Sequence, residues 1–386
     1  MAPSNEFNLV LAFTKSNSEE LRVFNNYKTI DWQVFFKLVV RHRLHHQVCK
    51  NIQNSSEVPD SVKVQFLNYS NKDKIKLLTK SAEIVRISRK FKDSQIKHWF
   101  VKGLPLTNLA YGVNESRPCK DIDIWVEPKD LHLAMGDLVT LGYTIMRPNY
   151  PLVGAKLDYL LAHPKDISAV HHGRQVEIEL HFGVNSLWLN YFDFNQLKSQ
   201  EIKVGNELIV TLQDDFHLLY LMIHGATHAW VRLRWLLDIV KYINTNRPNL
   251  NEVMRLASIL KCEHVVWQTL NLAKQFFEFE IPDGLVKIDK KKETQVIILT
   301  RLASQFVFEN YEFIGIWHKM FVKYRIYLLY LAVSKMRIKT FLNDFIKLDQ
   351  IFLEFNLPDK YFKVYYLLYP FLIIKKLIKV RNFKSK

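Results

Sequence analysis

Between residues 98 and 211 the apolar residues change their spacing, and that change bounds what the chain can become. Upstream, Trp32, Phe35, Phe36, Leu38 and Val39, and later Ile75, Leu77, Leu78, Ile84, Val85 and Ile87, recur every three or four positions, as on one face of a helix. Over 98–102, 121–126, 141–146, 174–182 and 207–211 they come instead in short bursts with alternation, bounded by Gly, Pro, Asn or Asp. From Asp214 onward the helical period returns through Leu218, Leu219, Leu221 and Met222, then Leu236, Leu237, Ile239 and Val240. The pattern predicts an α+β protein with helices over 18–94, a small mixed sheet flanked by helices, and a mainly helical C-terminal half. Four regions follow: 1–94 helical, 95–212 sheet-bearing, 213–310 helical with the motif His224-Gly225-Ala226-Thr227-His228-Ala229-Trp230, and 311–386 basic, aromatic and helical. Asn-Arg-Pro-Asn at 246–249 reads as a turn between helices, and 281–293 as a solvated loop.

With 386 residues and 48% hydrophobic content, the chain can bury two or three cores. The 54 Lys+Arg against 38 Asp+Glu give +16 at neutral pH, which draws anionic partners such as nucleotides, nucleic acid or anionic lipid. Cys49, Cys119 and Cys262 lie far apart without a Cys-x-x-Cys pair, so neither a disulfide framework nor a cysteine zinc site is expected. The N-terminal residues lack the basic start and continuous apolar core of a signal peptide. Val364 to Ile374, the most apolar C-terminal run, is about half of a membrane span. The expectation is a cytoplasmic protein, with peripheral contact at the inner face of the membrane as an addition.

Two short acidic patterns carry the chemistry. In a strand Asp121 and Asp123 share one face while Ile122, Ile124 and Val126 share the other. Carboxylates that close repel each other, and a divalent cation reverses that field; Mg²⁺ takes one or two carboxylates and completes its shell with water and phosphate oxygens. In Gln175 to Phe182, Glu177, Glu179 and His181 alternate with Val176, Ile178 and Leu180. Taken singly, either pattern is also what an ordinary amphipathic strand with a solvated face produces.

The order of elements is more specific. A strand, Lys102-Gly103, a helix with Leu106 to Tyr111, Arg117, a strand with Asp121-Ile122-Asp123, and a later strand with Glu179-Leu180-His181 resembles the nucleotidyltransferase fold of the DNA polymerase β superfamily. More narrowly it is similar to an uncharacterised bacterial nucleotidyltransferase family, over roughly 95 to 245 and on through Arg232, Arg234 and Asp238. The resemblance implies that Asp121, Asp123 and Glu179 hold Mg²⁺, or Mn²⁺ in its place, against the phosphates of an NTP, ATP foremost. Glu177 is the weaker candidate for the third acid. Where the superfamily follows its turn glycine with Ser or Gly, this chain has Leu104, so phosphate holding falls on backbone N–H groups and on Lys102 or Arg117. His181, His224, His228, Arg232, Arg234 and Asp238 complete the candidate nucleotide-contacting set.

His224 and His228, four apart, share a helix face. Buried or capped histidines are the first account of them, phosphate contact the second and zinc the third. For Arg232, Arg234 and Asp238, triphosphate contact and a structural ion pair stand level. Aromatics and lysines after Tyr311, among them Trp317, Phe321, Tyr324, Tyr327, Tyr330, Lys375, Lys376, Lys379, Arg381, Lys384 and Lys386, read first as a core with a solvated basic face. An anionic membrane surface and then single-stranded nucleic acid follow. The leading function is transfer of a nucleoside monophosphate from an NTP to an acceptor hydroxyl, a saccharide among the candidates, with diphosphate leaving. The alternative is a degenerate nucleotidyltransferase domain binding at a membrane or on RNA; a phosphohydrolase using the same acids is the third reading.

Overall fold

The computed structural model describes residues 3–15, 27–112, 117–146, 154–162, 166–183, 193–308, 317–332, 348–352, 355–369 and 371. Its longer helices are α1 (Asn5–Lys15), α2 (Trp32–Arg41), α3 (His45–Ile52), α4 (Asp60–Asp93), α5 (Gly103–Tyr111), α6 (Leu131–Thr140) and α7 (Gly154–Ala162). The chain continues with α8 (Asp214–Thr227), α9 (Leu233–Asn246), α10 (Leu250–Ile259), α11 (Glu263–Phe277), α12 (Lys290–Phe308) and α13 (Trp317–Leu331). Strands are β1 (His98–Phe100), β2 (Ile122–Val126), β3 (Thr144–Ile145), β4 (Ile167–His171), β5 (Val176–His181), β6 (Ser199–Val204) and β7 (Glu207–Leu212). The α+β expectation holds, with a mixed sheet between helical regions. Two compact units form: Met1–Val85 with Phe100–Ile122 and Asn195–Leu331, and Arg86–Trp99 with Asp123–Phe194 and Ala332–Lys386.

The second unit carries most of a five-stranded sheet in the order β1-β2-β5-β4-β3. All five residues of β2 are buried, whereas β5 alternates buried and half-buried positions, so Val176, Ile178 and Leu180 face the core and Glu177, Glu179 and His181 the other side. An antiparallel hairpin joins β4 to β5 with Ser168 opposite Glu179 and Val170 opposite Glu177, which fixes which side chains share a face. Tyr365 belongs to this unit's core: its hydroxyl donates to Phe355 O at 2.7 Å and accepts from Leu357 N at 2.8 Å. In the same unit Tyr361, Tyr366, Leu367 and Phe371 are exposed.

The first unit is built from helices and the β6–β7 hairpin. Asn246 on α9 donates to Leu109 O of α5 at 2.9 Å, and Thr211 on β7 donates to Phe100 O at 2.7 Å. Gly225 on α8 faces the ring of Trp230, leaving no room for a methyl group. Tyr327 on α13 is fully buried and exchanges hydrogen bonds with Gln268 on α11, while the Tyr324 hydroxyl donates to Thr227 O at 2.7 Å, so these two aromatics are packing residues. No helix among the described residues is long and apolar enough to cross a membrane. Lys375, Lys376, Lys379, Arg381, Lys384 and Lys386 lie outside the described residues, as do the side chains of Trp317 and Phe321.

Several boundaries differ from the sequence expectation. Helix α1 precedes 18, and β4 and β6 were not anticipated. Their sequences, Ile-Ser-Ala-Val-His and Ser-Gln-Glu-Ile-Lys-Val, carry too few large apolar residues to alternate visibly, and their strand form comes from pairing with β5 and β7. The 207–211 burst pairs in the two-stranded β6–β7 sheet, outside the main one. The 281–293 loop ends early, because Asp289 Oδ1 accepts from Lys292 N at 2.9 Å and starts α12 at Lys290.

Two buried histidines tie this unit together and make it acid-sensitive. His42 Nδ1 accepts from Leu233 N at 3.2 Å, and the His217 ring donates to Val101 O. Burial pushes His42 down to about 3, helped by the charges of Arg41 and Arg232, and burial pushes His217 down to about 4. Both stay neutral in the folded chain, whereas unfolded histidine binds a proton near pH 6.5. Their contribution is therefore complete above pH 6.5 and is lost as pH falls toward about 4. Chemical denaturation at pH 7 and pH 5 is expected to show a loss of about 2 kcal/mol for each histidine; equal stability at the two pH values contradicts neutral burial.

Candidate functional site

In the second unit the β2–β5 neighbourhood gathers Asp123, Glu179 and His181. Asp123, on β2, is 4% exposed, and Glu179 and His181, two apart on β5, are half-buried. His181 Nε2 lies 3.1 Å from Asp123 Oδ1 and 3.7 Å from Glu179 Oε2. One ligand atom from each residue lies within 4.8 Å of the others, a spread that suits a shared divalent cation. Two carboxylates with one imidazole suit Mn²⁺ fully; Mg²⁺ would draw on the carboxylate oxygens. Glu177 lies outside this cluster, and Ser168 Oγ donates to its Oε1 at 3.5 Å.

In the first unit Gly103 opens α5 at φ +57°, and a Cβ there would stand 3.0 Å from Cys119 Sγ, so a side chain is excluded twice over. Lys102, just before it, is half-buried in extended backbone. The segment after it is fixed by cations: Lys80 Nζ donates to Cys119 O at 2.7 Å and Arg234 Nη1 to Pro118 O, while Cys119 Sγ donates to Asp121 O at 2.8 Å. Asp121 immediately precedes β2, with its side chain 20% exposed and 3.9 Å from Lys120 Nζ.

Arg117 and Asp238 form a bidentate pair, Nε to Oδ1 at 2.8 Å and Nη2 to Oδ2 at 2.7 Å, with side chains 5% and 3% exposed. The Tyr111 hydroxyl adds a 2.7 Å bond to the same Oδ1. Burial works against the charge on Arg117, but Asp238 outweighs it and raises its pKa. Arg234 is pushed down to about 9 by burial and by the nearby charge of Arg117. The rings of His224 and His228 are 4.7 Å apart. Trp235 meets the first edge-on at 5.5 Å and stacks on the second at 5.3 Å, and Arg232 lies over the same indole at 5.5 Å. Among the described residues no third metal-ligating side chain joins the two histidines.

Lys80 and Arg43 carry no mark in the sequence, and Tyr111 stands there only as the end of the motif helix, with no role assigned to it. Each acts across tens of residues or more, Lys80 on Cys119, Tyr111 on Asp238 and Arg43 on the field around Asp121, and no local pattern marks such partners.

Residues 28–278 match a family model described as an uncharacterised nucleotidyltransferase. No curated protein and no solved structure matches.

The buried Arg117–Asp238 pair yields a direct stability expectation. Arg117→Ala leaves the Asp238 carboxylate buried without its partner and is expected to lower the unfolding free energy by about 3–5 kcal/mol, read by chemical denaturation. A loss below about 1 kcal/mol would show the pair to be solvated in solution.

Proposed function

The chain belongs to the uncharacterised nucleotidyltransferase family, and on that premise we propose that it moves a nucleoside monophosphate from an NTP, ATP foremost, to an acceptor hydroxyl. The reaction is proposed to depend on Mg²⁺, with Mn²⁺ able to replace it, and to release diphosphate. Kinship with the DNA polymerase β superfamily belongs to the same proposal, as do a cytoplasmic place of action and a saccharide as the first acceptor class to test.

The observation that carries it is the Asp123–Glu179–His181 cluster. Asp123 and Glu179 are proposed to supply carboxylate oxygens to the cation. Asp121, two residues before Asp123 in the sequence, is proposed as the further carboxylate. His181, whose Nε2 reaches Asp123 Oδ1, is proposed to hold that oxygen in place. When bound, the cation neutralises phosphate charge and stabilises the departing diphosphate. The acceptor hydroxyl releases its proton to solvent as its oxygen bonds to the α-phosphorus and the bond to the bridging oxygen of diphosphate breaks, the diphosphate leaving with that electron pair. Positioning and charge do most of the work, so the protein needs no covalent intermediate.

Incubation of the protein with α-labelled ATP, Mg²⁺ and saccharide-containing extract is expected to label an acceptor. Asp123→Asn and Glu179→Gln are each expected to reduce labelling about a hundredfold or more. His181→Ala is expected to weaken Mn²⁺ binding, measured by electron paramagnetic resonance, by about 10–100-fold. Undiminished labelling in both carboxylate variants removes the proposed cation site. ATP consumption without a labelled acceptor favours phosphohydrolysis instead.

A further inference from the structure

Within the first unit, four arginines from distant parts of the chain form a linked set: Arg117 acts on the charge of Arg43 and Arg234, and Arg43 on that of Arg232 and Arg234. Two are occupied structurally. Arg117 is closed on Asp238, and Arg234 donates from Nη1 to Pro118 O. The other two are held together by their neighbours, since Leu233 N donates to the buried His42 Nδ1 at 3.2 Å and thereby sets Arg43 beside Arg232. Among the described residues neither Arg43 nor Arg232 forms an ion pair within 4.0 Å; Arg232 instead lies over Trp235. Both are half-buried.

Such an arrangement is costly without an anion. Burial, and then the charge of Arg43, push Arg232 down to about 10, and burial followed by Arg117 lowers Arg43. Asp121 and Asp73 oppose this for Arg43, and Asp121 for Arg232, so one partly exposed carboxylate faces both guanidinium groups. The Nε of Arg234 is itself buried without a hydrogen-bond acceptor. Guanidinium forks match phosphate oxygens in shape and charge, and two of them side by side match a chain of phosphates better than a single carboxylate.

We infer that Arg43 and Arg232, the latter lying over the Trp235 indole, form a cradle for the terminal phosphates of a nucleoside triphosphate. The identity of the ligand rests on the nucleotidyl-transfer reading; the cradle itself rests on the paired arginines.

Calorimetric titration of the full chain with inorganic tripolyphosphate, ATP and AMP, each with chelator present, tests the cradle apart from any cation. Tripolyphosphate and ATP are expected to bind, and AMP far more weakly. Arg43→Gln and Arg232→Gln are each expected to weaken tripolyphosphate binding about ten- to hundredfold. Without ligand, each variant is expected to melt no lower than the unaltered chain, since a repulsion has been relieved; a purely structural arginine would lower it. Asp121→Asn, which removes the competing carboxylate, is expected to tighten tripolyphosphate roughly two- to fivefold under chelation. Unchanged binding in both glutamine variants, or a lowered melting temperature together with unchanged affinity for the folded fraction, overturns the cradle. Labelling that proceeds with an unaltered KM for ATP in Arg43→Gln sinks the cradle and spares the transfer reaction. Tripolyphosphate binding that depends on both arginines in a protein that labels nothing spares the cradle and sinks the reaction.

Discussion

A carboxylate almost shut off from water beside a second carboxylate is the constraint on which the account turns. Asp123 is 4% exposed, and the imidazole of His181 reaches both it and Glu179. Two anions brought together in a low-dielectric environment repel, and the shared imidazole at 3.1 and 3.7 Å works against that repulsion. Apolar residues of similar volume often serve stability as well as a buried ionic cluster does, so stability is a weak account of these three side chains. The β5 alternation and the β4–β5 register are what hold Glu179 and His181 on one face, so sheet geometry and proposed chemistry are the same fact seen twice.

The first unit sorts its cations by task. Arg117 neutralises Asp238 in the interior and, with Tyr111, joins the α5 side of the unit to α9. Arg234 and Lys80 hold the backbone from Pro118 to Cys119, the turn that leads to Asp121. Those bonds explain why a stretch without regular structure can place Asp121 reproducibly. Among the described residues Arg43 and Arg232 form no ion pair within 4.0 Å, and it is this half-buried pair of charges, rather than the net +16, that the proposed anionic ligand would answer.

Legibility in the sequence followed the range of the interaction. The alternation of Gln175 to Phe182 placed Glu177, Glu179 and His181 on one face, and the four-residue spacing of His224 and His228 placed them together, because both depend only on local geometry. Glu179 stands ahead of Glu177 as partner of Asp123 only through the family resemblance, since local geometry puts both on one face of β5 and the choice depends on how far along β5 the neighbouring Asp123 lies. Arg117 looked like a phosphate ligand beside Lys102; its closure on Asp238, 121 residues away, appears only in three dimensions. Arg43 had no local mark at all, sitting at a positive φ between two helices of the N-terminal region. β4 escaped notice for the opposite reason, its Ser and Ala blunting the period-two signal until β5 pairs with it.

Anomalous diffraction from crystals grown with Mn²⁺ and a non-hydrolysable ATP analogue tests the central claim most directly. The account predicts a manganese peak within bonding distance of carboxylate oxygens of both Asp123 and Glu179. A nucleotide bound with no peak there, and His181 still bridging the two acids, would contradict it.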